Sequence, residues 1–350
     1  MTRHTLVGTL AALALAVPST AQAAPRMESR IEVAKASFTT ADEVVVFFSL
    51  TNTGDRDAQV LRWDTPFLGV DDDLFIVARN GEPVAYLGRM FKRGAPQAAD
   101  YVAIKPGETL GTKVALSSLY DFSKPGEYAI QYRGAAAAGP ARVATRASNL
   151  LAIWVDGDDL SAFGPPALDD DEGEAGPTPA FLTPRFRNCS TTRQNSIRNG
   201  LSSAQTIAGK ALGYLNAGTR GARYTTWFGA YAASRYSSAR SHFVNIDSTV
   251  RTKTITFDCG CTESAYAYVF PNRPYEVFLC NAFWSAPTTG TDSKSGTIVH
   301  ELSHFNVVAS TNDWAYGQSA CRNLARTNAS RAVDNADSHE YFAENTPFQN

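Results

Sequence analysis

The stretch that decides the fold of the carboxy-terminal half reads Gly296-Thr297-Ile298-Val299-His300-Glu301-Leu302-Ser303-His304. Residues four apart on an α-helix lie one turn above each other, so His300 and His304 can direct two imidazoles at one metal ion. Glu301 follows the first histidine and can reach a water molecule bound to that ion. Zinc takes nitrogen and oxygen ligands and keeps one position open in catalytic sites. The spacing therefore predicts a helix that carries a catalytic zinc site.

The third metal ligand decides the class of such a site, because paired histidines also occur on ordinary amphipathic helices. A metzincin-type site needs Gly and His three and six residues after His304, but valine and serine occupy those positions. A gluzincin-type site would use a glutamate on a later helix, and Glu340 or Glu344 could serve. Asp313 lies much nearer, nine residues after His304. The residues alone leave the aspartate and the two glutamates open.

The length, the net charge and the first residues of the chain together predict an exported protein. With 350 residues it can form two domains with their own cores, and its formal net charge of -2 gives no footprint for nucleic acid. Residues 1–23 start with basic residues, continue with an apolar run and end in a small-x-small pattern, which predicts a signal peptide cut after Ala23. No segment is long and apolar enough to span a bilayer. We therefore expect a secreted protein that is free of the membrane once the signal is removed.

The cysteines all lie in the second half of the chain, at Cys189, Cys259, Cys261, Cys280 and Cys321. Export permits disulfide bonds. Cys259 and Cys261 are separated by one residue and cannot easily bridge each other. Two bridges among the first four cysteines are expected, with Cys321 left over, but the spacing does not fix the pairing. A zinc cluster is the rival interpretation, and the histidine helix offers a better metal site.

Residues 24–156 read as all-β, with neither histidine nor cysteine. A strand-like apolar run covers 44–50, and Asn80-Gly81 between two apolar runs predicts a hairpin. Two Lys-Pro-Gly-Glu turns follow, at 105–108 and 124–127. This spacing of strands and turns favours an antiparallel sandwich of immunoglobulin-like type.

Residues 157–182 form an acidic, Pro- and Gly-rich stretch that cannot bury enough apolar area to fold alone. It is interpreted as an exposed linker, either cut by a protease or left as a plain spacer.

Residues 183–350 read as mainly helical with a small β region between about 254 and 279. Helices are expected near 191–215, 226–243, 295–304, 317–328 and 335–343. The predicted fold class is therefore α+β, a β-sandwich domain followed by a mainly helical zincin-type domain.

The second half also resembles a known family, the aspzincins or deuterolysin group, and most closely its peptidyl-Lys metalloendopeptidases. That family pairs Gly-Thr-x-x-His-Glu-x-x-His with a later Asp-x-x-Tyr-Gly, and both motifs are present, the second as Asp313-Trp314-Ala315-Tyr316-Gly317. The segment Asn335–Phe342 is similar as well, and the resemblance covers essentially all of 184–350. For the amino-terminal half it implies a propeptide.

The resemblance implies roles residue by residue. Metal ligation by one Zn²⁺ per catalytic domain falls to His300, His304 and Asp313. Glu301 would act as general base while zinc-bound water attacks the peptide carbonyl, and Tyr316 would donate a hydrogen bond to the oxyanion. The implied disulfides are Cys189–Cys259 and Cys261–Cys280, which leaves Cys321 as a free buried thiol.

Asp337 and Glu340 lie three residues apart on a probable helix and so share a face. Such a pair is usually just a solvated surface. In the resembled subgroup these acids line the pocket for the side chain that follows the cut, and a compact ammonium can bridge two carboxylates more readily than a planar guanidinium. The resemblance thus implies cleavage on the amino side of lysine.

The leading hypothesis is a secreted zinc endopeptidase made as a zymogen, acting on proteins or peptides, with its own β-domain as an intramolecular partner. A broader-specificity deuterolysin-like protease is the alternative within enzymes. A secreted β-sandwich binding protein with an inactive carboxy-terminal half is the alternative outside them.

Overall fold

The computed structural model describes residues 26–135, 143–158 and 183–350. The predicted signal peptide and all but the first two residues of the predicted linker lie outside these ranges. The chain is a mixed structure of sheets and helices, as predicted, and the α-helices of the described residues all begin at or after Thr191. Within those residues no helix combines the length and apolar character needed to cross a membrane.

The amino-terminal half, hereafter the β-region, consists of strands and short 3-10 turns. Its strands are β1 (Met27–Val33), β2 (Ser37–Thr39), β3 (Val45–Asn52), β4 (Ala58–Leu61), β5 (Phe75–Arg79), β6 (Glu82–Pro83), β7 (Met90–Lys92), β8 (Tyr101–Ile104), β9 (Thr109–Ala115), β10 (Gly126–Tyr132) and β11 (Leu151–Asp156). One sheet has the order β1-β3-β9 and a second the order β2-β11-β10-β5-β6. Side chains from both sheets share one hydrophobic core.

Alternation of apolar and polar residues explains this core. On β3 the side chains of Val46, Phe48 and Leu50 are fully buried, and each such burial contributes about 1.5–3 kcal/mol. The predicted hairpin joins β5 to β6, with Asn80 and Gly81 at φ 50° and 87°. Both residue types tolerate this left-handed backbone, which suits a two-residue turn.

The carboxy-terminal half, hereafter the helical region, contains eight α-helices within the described residues: α1 (Thr191–Asn216), α2 (Ala222–Phe228), α3 (Ala233–Thr252), α4 (Asn281–Ser285), α5 (Lys294–His304), α6 (Gln318–Thr327), α7 (Ala329–Val333) and α8 (Ala336–Glu344). Helix α1 begins after Ser190, whose hydroxyl accepts a hydrogen bond from the amide of Arg193. Its buried face packs on α3 and α5, so α1 supports the helix that carries the two histidines.

The single helix predicted for 226–243 is wrong, because the chain forms α2 and α3 there with a break between them. Gly229 ends α2 at φ 78°, a conformation that side chains rarely adopt, and its amide donates to the carbonyl of Thr225. A Cβ at this position would also collide with the carbonyl oxygen of Ala325. The short helices α4 and α7 were not predicted.

A five-stranded sheet joins the two regions. It contains β12 (Arg185–Arg187), β13 (Thr256–Asp258), β14 (Ala267–Val269) and β15 (Glu276–Leu279), in the order β12-β13-β15-β14-β7. The last strand, β7, comes from the β-region and pairs antiparallel with β14. One strand of the β-region therefore belongs to the same sheet as four strands of the helical region.

Two disulfide bonds lie beside this sheet, Cys189–Cys259 and Cys261–Cys280. The first ties the start of α1 to the end of β13. The second fastens the loop after β13 to the end of β15. Cys321 is a free, buried thiol on α6.

Candidate metal centre

Helix α5 presents the two histidines from the interior of the helical region. It begins at Ser293, whose hydroxyl accepts a hydrogen bond from the amide of Gly296 at 2.9 Å. Gly296 faces α8, and a side chain there would strike the carboxylates of Glu340 and Glu344. The glycine of the motif thus allows α5 and α8 to lie in close contact, which brings the acids of α8 to the histidines.

Three side chains converge at the carboxy-terminal end of α5. The Nε2 atoms of His300 and His304 are 3.1 Å apart, and they lie 3.4 and 3.3 Å from the two carboxylate oxygens of Asp313. Ligand atoms about 2.0–2.1 Å from a tetrahedral zinc ion would lie about 3.3 Å from one another. The Asp313 carboxylate is fully buried, yet its oxygens accept no hydrogen bond. A divalent cation would satisfy them, so these residues fit zinc.

The other ring nitrogens of the two histidines have partners that fix the rings. Nδ1 of His304 lies 2.8 Å from the carbonyl oxygen of Thr311, which favours a proton on Nδ1 and leaves Nε2 free for a metal. Nδ1 of His300 lies 2.9 Å from a carboxylate oxygen of Asp337. Asp337 therefore has a second contact beyond the predicted pocket, and it orients the imidazole of a candidate metal ligand.

The charges at the site depend on burial and close pairing. Burial opposes ionisation of Asp313, but the neighbouring imidazoles hold the pKa of its carboxyl below the usual value. Burial likewise disfavours a charged His304, but Asp313 raises the pKa of its imidazole to about 9. Burial raises the pKa of Glu301 to about 7, and neither of its carboxylate oxygens has a hydrogen-bond partner. A carboxylate with this pKa suits proton transfer near neutral pH.

The turn that carries Asp313 is held by the side chain of Asn335, which sequence reasoning did not single out. Its amide oxygen accepts hydrogen bonds from the backbone amides of Trp314 and Ala315, at 2.8 and 2.9 Å. Its amide nitrogen donates to the carbonyl of Ala315 and to the hydroxyl of Ser338. Asn335 is fully buried and precedes α8, so one residue fixes the ligand turn against that helix.

We expect Asn335→Ala to lower the free energy of unfolding by about 2–4 kcal/mol, because buried donors and acceptors lose their partners. Zinc affinity should fall too, since the Asp313 turn loses its support. Thermal melting and zinc titration of the purified protein measure both effects. Asn195→Ala, on the exposed face of α1, is the matched control. Unchanged melting and unchanged zinc affinity would contradict this role.

Tyr316 lies at the contact between the two regions. Its hydroxyl donates a hydrogen bond of 2.8 Å to the carbonyl oxygen of Phe91 on β7, and its ring packs edge-on against Trp63 with centroids 6.1 Å apart. The following residue, Gly317, has φ 81° and donates its amide to a carboxylate oxygen of Asp337 at 2.7 Å. The hydroxyl predicted to stabilise an oxyanion thus donates to a peptide carbonyl of the β-region.

Asp337 and Glu340 form a buried acidic pocket, and a lysine from the β-region fills it. Nζ of Lys92 lies 2.6 Å from a carboxylate oxygen of Glu340 and 3.5 Å from one of Asp337. Asp292 contributes a third carboxylate at 3.7 Å, and the ring of Tyr266 lies 4.9 Å from the ammonium. Sequence reasoning did not assign Lys92, Asp292 or Tyr266 to the site, although Asp292 lies only four residues before the glycine of the histidine motif.

The two glutamates considered as alternative third ligands have other partners. Glu344 accepts hydrogen bonds from the amide and hydroxyl of Ser293, at the opposite end of α5 from His304. Glu340 faces Nδ1 of His300, not Nε2, and binds Lys92. His300, Asp337 and Glu340 form a second group with metal-like spacing, but the ammonium of Lys92 already supplies the positive charge there.

Comparisons with known proteins point to one family of metallopeptidases. A family model described as "Lysine-specific metallo-endopeptidase" (Aspzincin_M35) matches residues 214–344. An "Extracellular protease" of Aeromonas hydrophila is 42% identical over the whole of both chains. A "Peptidyl-Lys metalloendopeptidase" of Grifola frondosa is 35% identical, covering 87% of this chain and 88% of the relative. A solved "zinc peptidase from Grifola frondosa" is 47% identical over 46% of this chain and 100% of its own, with a TM-score of 0.45.

Proposed function

This chain belongs to the aspzincin family and is a zinc-dependent metalloendopeptidase of the peptidyl-Lys type, and we propose that it cuts peptide bonds on the amino side of lysine. The observation that carries the proposal is the buried acidic pocket beside the three convergent metal-ligand atoms. That pocket holds an ammonium group between Glu340 and Asp337, at 2.6 and 3.5 Å. A substrate lysine in the same place would have its preceding peptide bond close to the metal centre.

His300, His304 and Asp313 would hold the zinc ion. When bound, zinc lowers the pKa of a coordinated water molecule and polarises the substrate carbonyl. Glu301 takes a proton from the attacking water and delivers it to the departing amine, a role that its pKa of about 7 supports. The hydroxyl of Tyr316 donates to the carbonyl oxygen as negative charge develops there, an interaction worth about 3–4 kcal/mol in other proteases.

We also propose that the β-region, an immunoglobulin-like sandwich, is the pro-domain of a zymogen. In the full chain the side chains of His300, Glu301 and His304 are fully buried, and Trp63 of the β-region packs on Tyr316. A substrate could not reach them in this arrangement, so the β-region would have to leave.

Location outside the cell is supported by the predicted signal at 1–23 and by the similar "Extracellular protease" of Aeromonas hydrophila.

The experiment is digestion of a defined denatured protein by the purified protein after removal of the β-region, with and without a zinc chelator. Fragments that begin with lysine, and that vanish with chelator, are the expected result. Chelator-sensitive cuts without this preference would favour a broader-specificity protease. No cleavage by zinc-loaded protein would overturn the proposal and favour a binding protein with an inactive second half.

Glu340→Gln is expected to lower kcat/KM for lysine substrates on the order of 100-fold, because one partner of a buried ion pair loses its charge. Glutamine keeps the size and hydrogen-bonding capacity of the side chain. The measurement compares kcat/KM for matched peptides with lysine or methionine after the cut. The methionine peptide should be affected much less.

Glu276→Gln is the matched control, since Glu276 on β15 of the five-stranded sheet pairs with Arg187 at 3.0 Å. It should leave the lysine preference unchanged. Glu340 is a cleaner probe than Asp337, because Asp337 also lies 2.9 Å from a metal-ligating histidine. Retention of the full lysine preference in Glu340→Gln would refute the pocket assignment.

A further inference from the structure

We propose that strand β7 occupies the active site as an internal substrate, with Phe91 before and Lys92 after the position of the cut, and thereby keeps the protease latent. This inference rests on the proposed cleavage before lysine and deepens it by naming what blocks the site. Three contacts support it: backbone pairing with β14 of the five-stranded sheet, the ion pairs of the Lys92 side chain and the hydrogen bond to the carbonyl of Phe91.

The first contact is the backbone pairing. Strand β7 lies antiparallel to β14, with Met90 opposite Val269, Phe91 opposite Tyr268 and Lys92 opposite Ala267. The partner β14 is part of the sheet of the helical region, and β7 fills its outer edge. Addition of a strand to a free sheet edge is a general mode of peptide recognition. The β-region thus pairs with the helical region in the way that an extended peptide would.

The second contact is the lysine side chain. Lys92 is fully buried, whereas Lys35, Lys105 and Lys113 of the β-region are exposed. Burying an ammonium is costly unless carboxylates compensate for the lost water. Glu340, Asp337 and Asp292 provide this compensation within 2.6–3.7 Å. Lys92 therefore fills the pocket proposed to bind the lysine of a substrate.

The third contact fixes the direction of the chain. The carbonyl oxygen of Phe91 accepts the hydrogen bond of 2.8 Å from Tyr316. In a peptide cut before lysine, the carbonyl that is attacked belongs to the residue just before that lysine. Phe91 and Lys92 stand in that order, with the carbonyl at the oxyanion donor and the side chain in the acidic pocket. Strand β7 thus runs in the direction of a cleavable substrate.

The test measures peptide binding, which avoids catalysis. Full-length Glu301→Gln protein loaded with zinc is titrated into a fluorescein-labelled peptide, Ala-Ala-Phe-Lys-Ala-Ala, and the Kd is read from fluorescence polarisation. The apparent Kd equals the intrinsic Kd divided by the fraction of molecules in which the site is free, so an occupied site weakens binding. Lys92→Ala in the same protein should therefore bind the peptide roughly 10- to 100-fold more tightly. Lys113→Ala, on exposed β9, should bind no better than the parent.

A second readout covers the chance that Lys92→Ala unfolds the β-region. Lys92→Arg keeps the charge but places a planar fork in a pocket suited to an ammonium, and it should also tighten peptide binding. In both variants, hydrogen exchange should increase at the β7–β14 pairing and stay unchanged within β3. Equal peptide affinity in the parent and in both Lys92 variants overturns the proposal.

Failure of this proposal is distinguishable from failure of the proposed function. If protein freed of the β-region cuts before lysine, but Lys92 variants do not open the full chain, only the internal-substrate assignment is wrong. If the freed protein does not cut before lysine, the proposed specificity is wrong whatever the binding data show.

Discussion

Replacing Asp313 by alanine is expected to leave the purified protein without zinc and to abolish peptide hydrolysis. The change removes one of three side chains whose possible ligand atoms are separated by only 3.1–3.4 Å. It also leaves two histidines without the anion that helps to compensate the charge of a buried cation. Metal content measured by atomic emission after dialysis tests the first effect, and hydrolysis of a lysine peptide tests the second.

The matched comparison is Glu340→Gln and Glu344→Gln, which alter the two glutamates that the residues alone left open. Both variants should keep one zinc ion per chain, because Glu340 binds the ammonium of Lys92 and Glu344 caps α5. The opposite result, with zinc lost in Glu340→Gln and kept in Asp313→Ala, would move this site to the gluzincin type. Unaltered zinc content in all three variants would refute the assignment of the metal centre to these residues.

Glu301→Gln is expected to lower kcat by about 10³-fold without loss of zinc. Removing a general acid–base group typically costs 10²–10⁴-fold, and an amide cannot accept the proton of water. Glutamine preserves the size of a fully buried side chain. Steady-state hydrolysis of a lysine peptide by protein freed of the β-region measures the loss, and metal analysis of the same sample verifies that the site is filled.

Asn199→Asp serves as a control, because it adds a negative charge in the helical region at an exposed residue of α1. It should leave kcat within about twofold, as expected of surface substitutions. Persistence of near-normal turnover in Glu301→Gln would show that another group accepts the proton, and would withdraw that role from Glu301.

Local sequence patterns predicted several elements of the fold, including the helix that carries the two histidines. The histidine helix, the hairpin at Asn80-Gly81 and the helix cap at Ser190 depend on neighbours along the chain, so spacing and residue type identify them. The family resemblance is confirmed by relatives at 42% and 35% identity over most of the chain. Convergence of Asp313 on the two histidines could be anticipated from the motif, because that motif includes all three residues.

Contacts between distant segments could not be predicted in this way. Lys92 and Glu340 are separated by 248 residues, and nothing in the sequence around Lys92 distinguishes it from the other lysines of the β-region. The break at Gly229 was missed because isolated glycines are tolerated in helices. Only the backbone conformation and the approach of Ala325 require a glycine there.

The edge position of β7 has a consequence for the proteins that this enzyme attacks. In the proposed processed enzyme, which has lost that strand, the amide and carbonyl groups along Ala267–Val269 are left for an incoming chain to pair with. Only a polypeptide stretched out over several residues can form such pairs, and a lysine within an intact α-helix cannot. Compact targets should therefore be nicked at loops and frayed ends, whereas denatured ones should be digested at nearly every lysine.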